Sequence, residues 1–306
     1  EPKVIVGFAI AAVFITAFVL WERHTPDPML DMQFFRNRRF SAASAAICMT
    51  FFAMFGSMFL MTQYLQFVLG YTALETGIRM LPMAGVMMVF APTSARLVER
   101  VGTKVVVATG LAIAGLGLVV ISLLTPESSY LNVLGALFVG SLGMSLVMAP
   151  ATESIMGSLP PAKAGVGSAV NDTTRELGAA LGVAVLGSVF ASSYSPAMRR
   201  ATEGLGLPED VRELAADQVG SALMIAEGLG AQGVQLADAA RNAFVDGMGT
   251  SLIAGAVVVG LASLLTIVFL PARATPVAAP GEDAEAQGDE LAPAGAREGR
   301  DDVFVG

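Results

Sequence analysis

The sequence predicts an all-α polytopic membrane protein with seven transmembrane helices. Hydrophobic residues make up 54% of the 306 positions and charged residues only 14%, a balance outside the range of soluble domains. Seven apolar stretches approach the roughly 20 residues that a helix needs to cross the hydrocarbon core. From Phe40 to Leu74 there is no charge at all, and a soluble fold has no use for so long an apolar run.

The first stretch, Val4–Trp21, is uncharged and stops at Glu22 and Arg23. The connection 22–39 follows, with Pro26, Pro28, Arg23, Arg36, Arg38 and Arg39. The second and third spans are Phe40–Leu69 and Gly77–Ser94, separated from the fourth, Val105–Leu124, by the basic stretch Ala95–Lys104. Leu131–Met156 and Gly167–Phe190 are the fifth and sixth, with Lys163 between them. The segment 191–247 contains Pro196, Pro208, several glycines and an acid-rich run, with helical periodicity near Val211–Leu236. It reads as an external loop carrying one or two short helices. Met248–Leu270 is the seventh span. Residues 271–306, rich in Ala, Pro, Gly, Asp and Glu, are too poor in apolar groups to order themselves and read as a disordered acidic cytoplasmic tail.

Charge gives an orientation. Lys and Arg flanking spans stay preferentially in the cytoplasm. If the spans alternate, Arg23, Arg36, Arg38, Arg39, Arg96, Arg100, Lys104, Lys163 and Arg273 share one side, against Lys3 and Arg79 in the opposite short segments. Arg199, Arg200, Arg212 and Arg241 of the long loop join the poorer side without reversing the balance. The N-terminus of the chain is then external and the C-terminus cytoplasmic, in a plasma membrane. The net charge of −8 is concentrated in the loop and the tail and says nothing about a nucleic-acid partner; none is expected.

Little catalytic chemistry is available. Cys48, inside a span, is the one cysteine, so an intrachain disulfide cannot form. With His24 as the one histidine, neither a zinc site nor a histidine-based triad can be assembled, and no HExxH occurs. The expectation is a non-enzyme without cofactor or metal. The chain opens on Glu1-Pro2-Lys3, which reads as a piece of a longer protein.

Polar groups within spans are expensive in lipid and by default mark functional positions. The densest set, entering the sixth span, is Asn171, Asp172, Thr173, Thr174, Arg175 and Glu176. Asp172, Arg175 and Glu176 stand at i, i+3 and i+4, so they share a helix face and can neutralise one another. They form either the cytoplasmic mouth of a substrate pathway or an interfacial helix start. Glu153, late in the fifth span, is either a carboxylate that exchanges protons or an interfacial acid paired with Lys163 or Arg175. Arg79 reads as an anchor snorkelling to the external interface. Gln63, Tyr64 and Gln66 either line a cavity or bond a neighbouring helix. Methionines such as Met54, Met58, Met83 and Met87 suit either a promiscuous apolar pocket or lipid contact. Gly178 and Gly182 make a GxxxG, and Pro82, Pro92 and Pro150 interrupt spans, as in packed membrane bundles generally.

Three stretches carry a family likeness. Ala95-Arg96-Leu97-Val98-Glu99-Arg100-Val101-Gly102-Thr103-Lys104 resembles the GxLADRxGRK loop of the major facilitator superfamily, on the cytoplasmic side between a repeat's second and third helices. Ala95, Glu99 and Thr103 depart from the pattern, as in a degenerate second-half copy. The runs Ala149–Pro160 and Ala164–Gly178 look like the penultimate helix pair of the 14-span drug:proton antiporter family. Trp21–Phe40, with Pro26, Asp27, Pro28, Phe34-Phe35-Arg36 and Asn37, looks like the connection into that family's second six-helix bundle.

The resemblance implies that 1–21 is an extra central helix and 40–270 the C-terminal six-helix bundle. It implies a multidrug exporter of hydrophobic or cationic compounds, working by alternating access and driven by a proton gradient. The switch loop would be Glu99, Arg100, Gly102 and Lys104, and the partners the bilayer and an N-terminal bundle outside this sequence. Substrate would sit between the two bundles. A structural or sensory membrane protein without transport is the alternative.

Overall fold

The computed structural model describes residues 2–25, 28, 32–203 and 205–271. Helix α1 (Pro2–His24) is followed by a 3₁₀ turn (Met32–Arg36) and α2 (Arg38–Gln63), which a π-helical turn extends (Tyr64–Val68). Then come α3 (Ala73–Val101), α4 (Thr103–Ser122), α5 (Tyr130–Met156), α6 (Ala164–Thr202), the short α7 (Glu209–Asp217) and α8 (Val219–Gly228), and α9 (Ala231–Phe269). No strand occurs among the described residues. An all-helical answer follows from the composition, because a backbone in lipid must satisfy its N–H and C=O groups internally.

The helix ends follow local chemistry. Asn37 accepts a hydrogen bond from the Arg39 amide and starts α2. Thr72 and Glu75 form a reciprocal capping box at the head of α3. At the other end of α3 a single residue, Gly102, turns the chain into α4 with φ 86°.

Among the described residues, six helical segments are long and apolar enough to cross a membrane: Arg38–Val68, Ala73–Val101, Thr103–Ser122, Tyr130–Met156, Pro161–Thr202 and Gly233–Phe269. The chain is a multi-pass membrane protein. Helix α1 coincides with the first expected span, Val4–Trp21, and carries its apolar run. Its described side chains are almost all exposed, from Val6 to Trp21, and its one sizeable contact is with the 3₁₀ turn. Six of the expected spans pack as a bundle, and the apolar helix α1, at the first of the seven expected spans, stands off it.

The expected loop 191–247 is largely helix. Tyr194, Met198 and Thr202 are buried at every fourth position, which carries α6 past Phe190 to Thr202. Leu236, Ala240, Phe244 and Met248 do the same for α9, which begins at Ala231. Between them lie α7 and α8, tied to α6 by the Tyr194 hydroxyl, which donates to the Ala215 carbonyl at 3.1 Å. Pro196 is tolerated within α6. The acidic tail after Pro271 lies outside the described residues.

Small residues hold the bundle together, since between helices in lipid close van der Waals packing replaces the hydrophobic effect. Helix α2 packs on α6, α5 and α9, while α4 packs on α5 and α9. At the α2–α6 crossing a Cβ added to Gly178 would come within 3.0 Å of Cys48 Cα, and one added to Gly182 within 2.9 Å of Phe52 Cα. At the α4–α5 crossing Gly110, Gly117 and Gly143 are equally tight against the facing backbone. Two buried serines bond across helices: Ser251 Oγ to the Leu186 carbonyl at 2.6 Å and Ser263 Oγ to the Ala108 carbonyl at 2.7 Å. Helix α3 is the outlier. Only 6% of its most apolar window is buried, against 56% for the windows in α2, α4 and α5, and it rests chiefly on α5.

Candidate substrate pathway

The polar cluster of α6 centres on Arg175. Its guanidinium reaches three helices at once. On α6 it pairs with Asp172 at 3.9 Å. From α5, Thr152 Oγ1 accepts a hydrogen bond from Arg175 Nη2 at 3.3 Å. From α2, the Phe51 ring lies 5.5 Å beneath its central carbon, within cation–π range. Phe51 in turn stacks on Phe55, with ring centroids 6.0 Å apart.

Asn171 is 5% exposed, and its amide oxygen finds no donor among the described residues. Arg175 Nε, one helical turn on, is also buried without an acceptor. Asp172, Thr173 and Glu176 point outward and are exposed.

Asp172 is eight residues and Arg175 eleven residues into α6, or about 12 and 16 Å along its axis at ~1.5 Å per residue. The Asp172 side chain is 68% exposed. Where such a charge lies within the hydrocarbon it cannot face lipid without a large cost, so this exposed side of α6 suits water or another polar protein surface.

The other positions disperse. Glu153 is exposed near the end of α5, and no ion pair to Lys163 or Arg175 forms among the described residues. Gln63 bonds only its own helix, Nε2 donating to the Phe59 carbonyl at 3.4 Å. Gln66 lies in the π-helical turn and opens onto a recess shared with Glu227 of α8 and with Asp238 and Arg241 of α9, away from Arg175. Tyr64 is buried and donates to the Thr125 carbonyl at 2.7 Å, which ties the α2 end to the α4–α5 connection. Arg79 stacks over Tyr71 at 3.8 Å and Tyr130 at 5.7 Å, and its carbonyl accepts a hydrogen bond from Tyr130 at 3.0 Å. It is an aromatic-held anchor near the head of α3.

In the switch loop Glu99 and Arg100 are exposed, Lys104 is partly buried, and Gly102 is buried with its amide bonded to the Val98 carbonyl at 2.8 Å. The φ of 86° at Gly102 lies in the region that only glycine occupies without strain. Gly102→Val should cost about 1–3 kcal/mol, read as a lower melting temperature in detergent, whereas Glu99→Gln should leave melting unchanged.

Phe51 and Thr152 are the two residues around Arg175 that have no charge to announce them. The only signal for them is the demand of Arg175 for partners on the facing helices.

The profile of the Major Facilitator Superfamily matches residues 4–183. The multidrug resistance protein Stp of Mycobacterium tuberculosis is 37% identical over 193 residues, covering 63% of this chain and 36% of that protein. The multidrug efflux pump LfrA of Mycolicibacterium smegmatis is 30% identical over 265 residues, covering 86% of this chain and 52% of the pump. The tetracenomycin C resistance and export protein of Streptomyces glaucescens is 30% identical over 259 residues, covering 82% and 48%. The chain thus spans between about a third and a half of the length of these curated relatives. Their names speak of multidrug resistance, efflux and export. With a six-span helical bundle and a family match over more than half its length, this chain belongs to the Major Facilitator Superfamily.

Proposed function

We propose that the chain is the C-terminal half of a 14-span multidrug exporter, moving small hydrophobic or cationic compounds out of the cell by alternating access. The observation that carries this reading is the charged side of α6, where Asp172 and Glu176 stand exposed beside the partly buried Arg175 at the entry to an expected span. A six-helix bundle with such a face is incomplete in lipid. A second bundle across a water-filled pathway supplies the missing surface.

In this reading α1 is the second of two extra central helices, which accounts for its detachment from the six-span bundle. The Arg-rich end of the bundle faces the cytoplasm. Arg175, held between α2, α5 and α6, ties the cytoplasmic mouth together and repartners as the helices move. Phe51, Phe55 and the nearby methionines offer apolar and aromatic contact to a cationic drug. The proton gradient supplies the energy, with most coupling residues in the N-terminal bundle. The names of the relatives, which speak of multidrug resistance, efflux and export, support the substrate class and a role in antibiotic resistance.

Cells expressing the complete reading frame should tolerate several unrelated cationic dyes and antibiotics at concentrations at least fourfold higher than cells without it, on the order of 1 kcal/mol of effective gradient. The advantage should vanish when an uncoupler collapses the proton gradient. Equal susceptibility across the panel, with the protein present in the membrane, would overturn the assignment.

A further inference from the structure

A groove of about 600 Å³ runs between the first half of α2 and the last turns of α9, at the Arg-rich end of the bundle. It exists because between Arg38 and Met49 α2 offers small side chains there, Ser41, Ala42, Ala45 and Ala46, against Leu261, Leu265 and Phe269 of α9. Those three α9 side chains are about half exposed. The α9 wall runs from Val258 to Phe269, eleven residue steps or about 16 Å. That matches the ~15 Å of hydrocarbon in one leaflet.

Arg36 and Arg38 line the same groove and are exposed. Neither side chain forms an ion pair or hydrogen bond among the described residues, whereas the neighbouring Arg39 is engaged with the Gly157 carbonyl at 3.4 Å. The groove itself is lined by no acidic residue; Asp27 and Asp31 of the same connection lie outside the described residues. The positive end of the α2 dipole opens beside the two arginines. Two uncommitted guanidinium groups at the head of an apolar slot one leaflet deep complement a molecule with an anionic head and an acyl tail.

We infer that this groove is a binding site for an anionic phospholipid. The phosphate meets Arg36 and Arg38, and one acyl chain lies along the α2–α9 slot. A zwitterionic lipid can fill the slot equally well but gains less from the arginines, because its own ammonium group competes. Attraction of an anionic headgroup contributes about fivefold in affinity per arginine.

The test is native mass spectrometry of the complete protein in detergent, offered equal amounts of phosphatidylglycerol and phosphatidylcholine. One phosphatidylglycerol should be retained in preference. The double variant Arg36→Gln/Arg38→Gln should lower that preference by up to about thirtyfold, and Ala45→Phe, which fills the slot, should lower retention of both lipids. Both arginines are exposed and, among the described residues, unpaired, so the double variant should melt with the native protein in phosphatidylcholine. Should it melt lower, Ala45→Phe alone carries the test. Equal retention of the two lipids by the native protein would overturn the inference, as would an undiminished preference in the double variant. Displacement of the lipid by glycerol 3-phosphate at lipid-like concentrations would also overturn it, by showing an anion site without a lipid slot.

Discussion

Gly182→Ala should unseat the α2–α6 crossing. The added methyl group falls inside contact distance of the Phe52 carbonyl and within 2.9 Å of Phe52 Cα, and main chain cannot step aside as a flexible side chain does. Overpacking of this kind costs about 1–3 kcal/mol, and the upper end applies because both partners are backbone. Gly178→Ala meets the Cys48 backbone in the same way, so the double variant should leave little folded protein after detergent extraction. Gly135→Ala is the control, since nothing lies within 4 Å of its added Cβ. Thermal unfolding followed by size-exclusion chromatography separates the cases. Equal melting of Gly182→Ala and Gly135→Ala would mean that α6 does not sit on α2 as described.

Arg175→Gln should depress export about tenfold or more while leaving melting nearly unchanged. The substitution removes the link to Asp172, weakens the bond to Thr152 and abolishes the cation–π contact with Phe51. The Asp172 pair contributes little by itself, being 3.9 Å long and exposed. The loss should therefore fall mainly on the Phe51 and Thr152 contacts, which join α6 to α2 and α5. Asp172→Asn should cost several-fold less than Arg175→Gln. Arg175→Lys should recover only part of the activity, because an ammonium group cannot reach a hydroxyl, a carboxylate and a ring face with one planar fork. Normal export by loaded vesicles in both Arg175→Gln and Asp172→Asn would return the cluster to a structural role.

The spans of the bundle were legible in the sequence because an uncharged run such as Phe40–Leu74 admits one solution in lipid. Their ends were less so. Tyr194, Met198 and Leu236 extend α6 and α9 beyond the apolar runs, and only the packing of α7 and α8 against them reveals why those polar-flanked stretches stay helical. Gly178 and Gly182 were visible as a pattern, but the pattern names no partner. That they face the Cys48 and Phe52 backbone is tertiary information.

The charged set on α6 was equally visible, since Asp172, Arg175 and Glu176 stand out in an apolar segment. Phe51 and Thr152 could not be singled out, because an aromatic or a threonine in a span is ordinary. The Gln63–Gln66 stretch shows a different limit. The π-helical turn at Tyr64–Val68 inserts an extra residue per turn, which swings Gln66 toward α8 and α9. A fixed helical period cannot anticipate that rotation.

Reconstitution of the complete protein decides whether it exports as the proposed two-bundle transporter, of which this chain forms one half. Proteoliposomes loaded at acidic pH and diluted into neutral buffer should accumulate a fluorescent cationic dye, and nigericin or Arg175→Gln should stop them. Dye levels that do not respond to the pH gradient in native-protein vesicles, and that match protein-free vesicles, would contradict the account.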